Sequence, residues 1–358
     1  MNSGRNYSAL DRLIHRIAFA NRSTQFTLSD IEAMLYGDSF RDIVIEAPVF
    51  ISSLPRAGTT LFLEFFSRLP GFASHRYRDM PFVMAPILWR RMSEKFRKSG
   101  GLMKRAHGDA MMVGYDSPEA FEEVLWRFCW PEKYRTDRIC LWSATETAGE
   151  FEEAFASHMQ RIIAARFPAD ASAKRYVSKN NANISRIGYL KRLFPDCNIL
   201  VPFRHPLDQA ASLLRQHENF LARHEADEFE QRYMEDIGHL EFGKLHRPIG
   251  FAGTGKMDQF ASSELDYWLA YWIAAFEHIL DERNNVVLIS YDRACKDGPA
   301  AVSAVRRNLD LPELGEADAL AAMFKDVPQK DDLPKAKDKV QLGAALALHK
   351  ELLKRSIN

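Results

Sequence analysis

Three short stretches of this chain gather residues suited to holding a phosphate-like anion. The first is "VFISSLPRAGTTLFLEFF", residues 49–66. An apolar run leads into a loop holding Pro55, Arg56, Ala57 and Gly58, and then into Thr59, Thr60 and a helix-like run. Laid against the nucleoside-triphosphate loop G-x-x-x-x-G-K-[ST], Ser53 takes the first glycine's place and Gly58 the second. Thr59 replaces the lysine, and Thr60 matches the last position. Backbone N–H groups of residues 57–61 can converge at the helix N-terminus, where open donors and the helix dipole favour an anion. In place of the lysine, Arg56 supplies the fixed positive charge. Arg56 and two threonine hydroxyls suit a compact tetrahedral group, such as a 5′-phosphate bearing a sulfonate. Taken alone, the loop also fits an ordinary strand–turn–helix with a glycine turn.

The second stretch is "NILVPFRHPLDQAASLL", residues 198–214. Arg204 emerges at the carboxyl end of a buried strand, where its planar fork can pair with a phosphate bidentately. Ser212 offers a short hydroxyl about two turns into the following helix. The third is "RYVSKNN", residues 175–181, with Lys179 just after a short strand. Lys179 also reads as a solvated lysine beside a turn.

Together these stretches resemble the sulfotransferases that use 3′-phosphoadenosine 5′-phosphosulfate (PAPS). "LPRAGTT" is similar to that family's 5′-phosphosulfate loop, and the strand–Arg204–Ser212 stretch is similar to its 3′-phosphate site. The segment with Lys179 looks like the lysine-bearing segment of protein-tyrosine and related bacterial sulfotransferases. The resemblance implies PAPS as donor and 3′-phosphoadenosine 5′-phosphate (PAP) as product. Arg56, Ala57, Gly58, Thr59, Thr60, Arg204 and Ser212 would contact the nucleotide, and Lys179 and Arg56 would stabilise charge on the departing phosphate oxygen. No divalent metal is required. The late Arg-Lys-Gly segment of the cytosolic branch is not found in "KDDLPKAKDKVQLGAALALHKELLKRSIN". That departure points to the bacterial, carbohydrate-type and protein-tyrosine branches, with a carbohydrate, a glycolipid or a small metabolite as the hydroxyl-bearing acceptor.

The acceptor hydroxyl needs a base. In several branches it is a carboxylate or histidine on or beyond the second strand, and here that window is "SHRYRDMPF". Asp79 is preferred and His75 is second, although Asp79 can equally salt-bridge Arg76 or Arg78. His107, Glu122 and Glu123 are outside candidates. The two glutamates sit beside apolar neighbours on a helix and read by default as a solvated edge, and His205 reads as a local structural residue. Two other readings compete: a P-loop-type small-molecule kinase using ATP and Mg²⁺, and a silent binding protein on the same fold. The first lacks the loop lysine and a clear strand-terminal Asp for the metal. The second is disfavoured by the intact Arg56, Lys179, Arg204 and Ser212.

Elements must now position these residues. Short apolar runs at 49–52, 176–178, 198–203 and 286–290 read as buried strands, with another possible at 72–77. Helical patterns cover 8–20, 28–36 (capped by Thr27 or Ser29), 59–69, 82–98, 118–129, 150–165, 184–193, 207–221 and 263–280. The alternation predicts an α/β, P-loop-like, three-layer fold, a parallel sheet flanked by helices with ligands at the strands' carboxyl ends. A single domain spanning 1–358 is expected, with its core at about 40–80 and 174–295. A helical insertion over about 80–170, and a second strand-poor stretch at 222–262, would shape the acceptor cleft. The aromatics of "DYWLAYWIAAFEHIL" are spaced as a core-packing helix face. "FAGTGK", residues 251–256, reads as a loop over the cleft.

Composition narrows the partners. The 358 residues carry no formal net charge, which argues against general nucleic-acid binding. The four cysteines form no CxxC pair and suggest free thiols in a reducing, cytoplasmic setting. The N-terminal apolar run is broken by charges and reads as an amphipathic helix rather than a leader, and no membrane span is expected. Oligomeric state is not readable.

Overall fold

The computed structural model describes residues 9–93, 103–104, 112–113, 116–170, 174–311, 317–325 and 336–358. Its strands are β1 (Val49–Ile51), β2 (Phe72–Ala73), β3 (Met103–Lys104), β4 (Met112–Val113), β5 (Arg175–Lys179), β6 (Asn198–Phe203) and β7 (Val287–Ser290). β3 and β4 form a small antiparallel pair. The other five make one parallel sheet in the order β2-β5-β1-β6-β7.

The short apolar strands are buried on both faces, as a helix-covered parallel sheet requires. Side chains alternate across β1. Val49 and Ile51 join Phe62, Phe65 and Phe66 of the helix Thr59–Ser67 in one core, while Phe50 joins Phe155, Tyr176 and Ile199 in the core on the other face. The predicted aromatic helix is Leu265–Asp281, with Trp268, Trp272 and Phe276 fully inside the second core. The α/β, three-layer expectation therefore holds.

Chain direction places the site. From β1 the chain runs out to edge strand β2, returns through β5 beside β1, then crosses to β6 and β7 on β1's other side. Connections diverge around β1, and such a reversal leaves a crevice at the carboxyl ends of the strands. Ile51 pairs in register with Lys179 on one side and Leu200 on the other, which aligns those ends.

Several boundaries differ from the sequence reading. The second helix is Arg22–Tyr36, capped by Asn21 through Thr24 N at 2.9 Å rather than by Thr27 or Ser29. The helix expected from residue 118 begins only at Glu123. Before it, Tyr77 N donates to Ser117 O at 3.1 Å and Glu119 N to His75 O at 3.0 Å, so those backbone groups are committed to a strand-like pairing. The pattern at 82–98 yields the helix Pro86–Ser93, and residues 94–98 lie outside the described ones. At the other end, Ile357 N donates to Leu288 O at 2.9 Å, and the Asn358 amide both donates to and accepts from the Ser290 backbone at 2.9 Å. The final residues thus lie along β7. No helix among the described residues is long and apolar enough to cross a membrane.

Candidate active site

The loop after β1 turns on two residues in the left-handed region, Arg56 at φ 69° and Gly58 at φ 88°. Successive N–H groups in such a turn face one concavity, the geometry of an anion nest. Gly58 is required twice over. Its φ disfavours an L side chain, and an added Cβ would lie 2.1 Å from the Tyr291 ring. Tyr291 follows β7 directly, so the last strand of the sheet underpins the first loop.

Helix Pro206–Ala226 and the turn that leads into it from β6 carry the partner residues. Arg56 Nε donates to Ser212 Oγ at 3.1 Å, joining two residues far apart in the chain. Arg204 reaches the Arg56 carbonyl through Nη1 at 3.5 Å, lies over the Tyr291 ring, and has Asp292 at 3.5 Å from its Nε. Buried Gln209 on the same helix donates to the carbonyls of Leu54 and Pro55 at 3.2 and 3.1 Å and accepts from Trp272 Nε1 at 3.1 Å. The sequence reading passed over Gln209, whose only signal is an amide on an otherwise apolar helix face.

At the end of β5, Lys179 is 5% exposed, in the strand rather than after it. Asn181 Oδ1 accepts from Thr59 Oγ1 at 3.4 Å, and Asn181 Nδ2 donates to Glu241 Oε1 at 3.0 Å. Glu241 lies close enough to Lys179 for their charges to interact. Burial raises the Glu241 carboxyl, but His239, Lys179 and Asn181 overcome this and hold it at about 2. The group as a whole is rich in donors: two arginines, a lysine, two hydroxyl-bearing threonines, a serine and a nest. Ser53 Oγ, within the loop, is buried without a hydrogen-bond partner among the described residues. Such a set fits a nucleotide with phosphates at two separated positions.

A family model described as "Sulfotransferase family" matches residues 48–314. The chain belongs to the sulfotransferase family. The solved sulfotransferase STF1 from Mycobacterium tuberculosis H37Rv aligns at 15% identity and TM-score 0.50 over 97% of this chain and 86% of that one. Sulfotransferase STF9 from Mycobacterium avium aligns at 16% identity and TM-score 0.51, over 99% and 87%. These likenesses bear on the fold. A search of the curated proteins finds no match.

In the sulfotransferase the sequence-predicted base lies in the core. Asp79 is 1% exposed. Its Oδ2 pairs with Arg166, accepts from Arg76 N at 2.8 Å and lies 3.7 Å from His75 Nδ1. Burial pushes this carboxyl up, yet Arg166 and His75 more than offset it and hold it well below the usual carboxylate range. The expected base is thus a buried, ion-paired carboxylate, with Oδ2 on Arg166 and Arg76 N and Oδ1 without a hydrogen-bond partner among the described residues. The Arg76 and Arg78 side chains pair with Asp116 instead. His75 is also buried, 3.0 Å from His158 through Nε2. His107 lies outside the described residues.

Glu122 and Glu123 are not a solvated edge, because both are buried. Glu122 accepts from Tyr176 OH at 3.0 Å, Asn183 Nδ2 at 2.9 Å and Trp126 Nε1 at 3.2 Å. Glu123 pairs with fully buried Arg186 and accepts from Asn180 Nδ2 at 2.7 Å. They anchor the segment Asn181–Ser185 and so brace the end of β5 in this sulfotransferase. His205 is local, as expected, with its N–H on Asp292 at 2.7 Å and Nδ1 3.4 Å from Asp208.

Proposed function

We propose that this sulfotransferase moves a sulfuryl group from PAPS to a hydroxyl acceptor, releasing PAP. One observation carries the reading: the Arg56–Ser212 hydrogen bond, with Arg204 beside it, makes one continuous donor surface of the loop after β1 and the end of β6. In this reading, the N–H groups of Ala57, Gly58, Thr59 and Thr60 and the threonine hydroxyls hold the 5′-phosphosulfate. Arg204 and Ser212 hold the 3′-phosphate. Sulfuryl transfer resembles phosphoryl transfer, an in-line displacement whose loose transition state is served by positioning and positive charge. Arg56 and Lys179 supply that charge at the bridging oxygen. The acceptor is a carbohydrate, glycolipid or small-metabolite hydroxyl that enters beside the segments 80–170 and 222–262. Thr59 in the lysine's place disfavours an ATP·Mg²⁺ kinase.

Calorimetry with PAP against ATP·Mg²⁺ tests the donor. Micromolar or tighter binding of PAP is expected, with ATP·Mg²⁺ at least tenfold weaker. The reverse preference would overturn the reading. Turnover of labelled PAPS with a panel of sugar, alkyl and phenolic hydroxyls then separates an enzyme from a silent nucleotide binder.

A further inference from the structure

Asp79 and His75 are locked in the core, so the acceptor's proton needs another destination. Resting on the PAPS reading, we infer that His239 is the base that takes the acceptor's proton and that Glu241 orients it. Neither residue lies in a recognisable motif, but they reach the end of β5 by an unbroken chain of polar contacts. Thr59 Oγ1 meets Asn181 Oδ1 at 3.4 Å, Asn181 Nδ2 meets Glu241 Oε1 at 3.0 Å, and Glu241 Oε2 lies 3.4 Å from His239 Nδ1. Thr59 opens the helix against which the 5′-phosphosulfate would rest. Asn181 thus links the pair to Thr59, and the Glu241 charge is within electrostatic reach of Lys179.

The division of labour follows from the oxygens. Glu241 uses Oε1 on Asn181 and Oε2 on His239. A carboxylate engaged on both sides orients an imidazole, as the acidic member of a nucleophile–base–orienter set does. The His239 side chain is 12% exposed, against 1% for both His75 and Asp79.

The placement is rigid. Gly238, at φ 82°, packs so closely on Glu123 that an added Cβ would lie 2.6 Å from its Cγ. Glu123 is the carboxylate that anchors Asn180 and Arg186. On the other side, His246 Nδ1 meets the Glu241 carbonyl at 2.6 Å, and its Nε2 meets Tyr267 OH at 2.7 Å. One network thus fixes both Lys179 and the dyad.

The step balances. The acceptor O–H gives its proton to His239 Nε2 as the acceptor oxygen bonds to sulfur. The bond from sulfur to the bridging phosphate oxygen breaks, and its electron pair stays on PAP next to Lys179. His239 returns the proton to solvent after the sulfate ester leaves.

The test uses the full chain, labelled PAPS and water as probe acceptor, with sulfate release as readout and PAP calorimetry alongside. H239Q should release sulfate at least about 100-fold more slowly, with PAP affinity within twofold of wild type. H239A should regain rate when imidazole is added. E241A should lose tenfold or more in rate without weakening PAP binding, since it removes a negative charge near the nucleotide, and E241D should fall between. Release by H239Q within threefold of wild type overturns the inference. So does a loss in H239A that imidazole does not restore and that PAP affinity follows in step, which marks a structural role. If wild type itself fails to bind PAP, the PAPS reading falls first.

Discussion

In the proposed reading Arg204 holds the nucleotide's 3′-phosphate, and that role is testable by itself. A charge-assisted pair of this kind contributes about 1.5–3 kcal/mol, roughly 10- to 150-fold in affinity. R204A should weaken PAP by that factor and leave adenosine 5′-phosphate nearly unaffected, as calorimetry would read. Gly58 tests the loop geometry. G58A must force a side chain into the left-handed region against the Tyr291 ring, at a cost of about 1–2 kcal/mol for the backbone alone. Lower stability and lost PAP binding should appear together. Asp79 tests its buried ion pair. Breaking a buried pair leaves Arg166 uncompensated and costs about 3–5 kcal/mol, so D79N should lower the denaturant midpoint markedly. The sign of the pH effect follows from the depressed folded carboxyl. Its stabilisation is complete above the ordinary unfolded carboxylate value of about 3.9 and is lost as pH falls toward the folded one. Wild type should therefore lose stability on acidification below about pH 4 more steeply than D79N.

At the scale of elements, strands with their following loops were legible and distant pairings were not. Arg56, Gly58 and Arg204 sit in the turns that follow apolar strands, and Thr59 and Ser212 in the helices those turns open, so local pattern alone leads to the sheet's carboxyl edge. The ion pair of Asp79 is not legible, because its partner, Arg166, comes from the end of the helix Gly149–Arg166, which no spacing rule connects to it. Glu122 and Glu123 look like a solvated edge on their own helix. Their burial depends on Arg186, Asn180 and Asn183 arriving from the segment after β5. His239 and Glu241 lie on an irregular segment without periodicity, so only tertiary packing reveals them. The bracing role of Glu123 yields its own expectation. E123Q leaves the Arg186 charge buried between Trp126 and Trp142 without its carboxylate. It should destabilise by about 3–5 kcal/mol in urea unfolding. The stable fraction should also show slower transfer, because the end of β5 loses its support.

For the whole molecule, a nucleotide held from β1, β5, β6 and the residue after β7 should stiffen the sheet as one body. A ligand that binds only the folded state stabilises by about 2.7 kcal/mol at one hundred times its Kd. PAP at that excess should raise the melting temperature by several degrees, whereas adenosine at equal concentration should raise it far less. The four cysteines are unpaired. Burial pushes the Cys129 and Cys197 thiols up to about 11 and about 12, so reductant should leave that melting temperature unchanged. The contact between Gly58 and Tyr291 has a further consequence, for biosynthesis. The loop leaves the ribosome well before the ring that underpins it. An unfinished chain would carry the phosphate-loop sequence without its floor, and nucleotide capture would wait for the sheet's last strand.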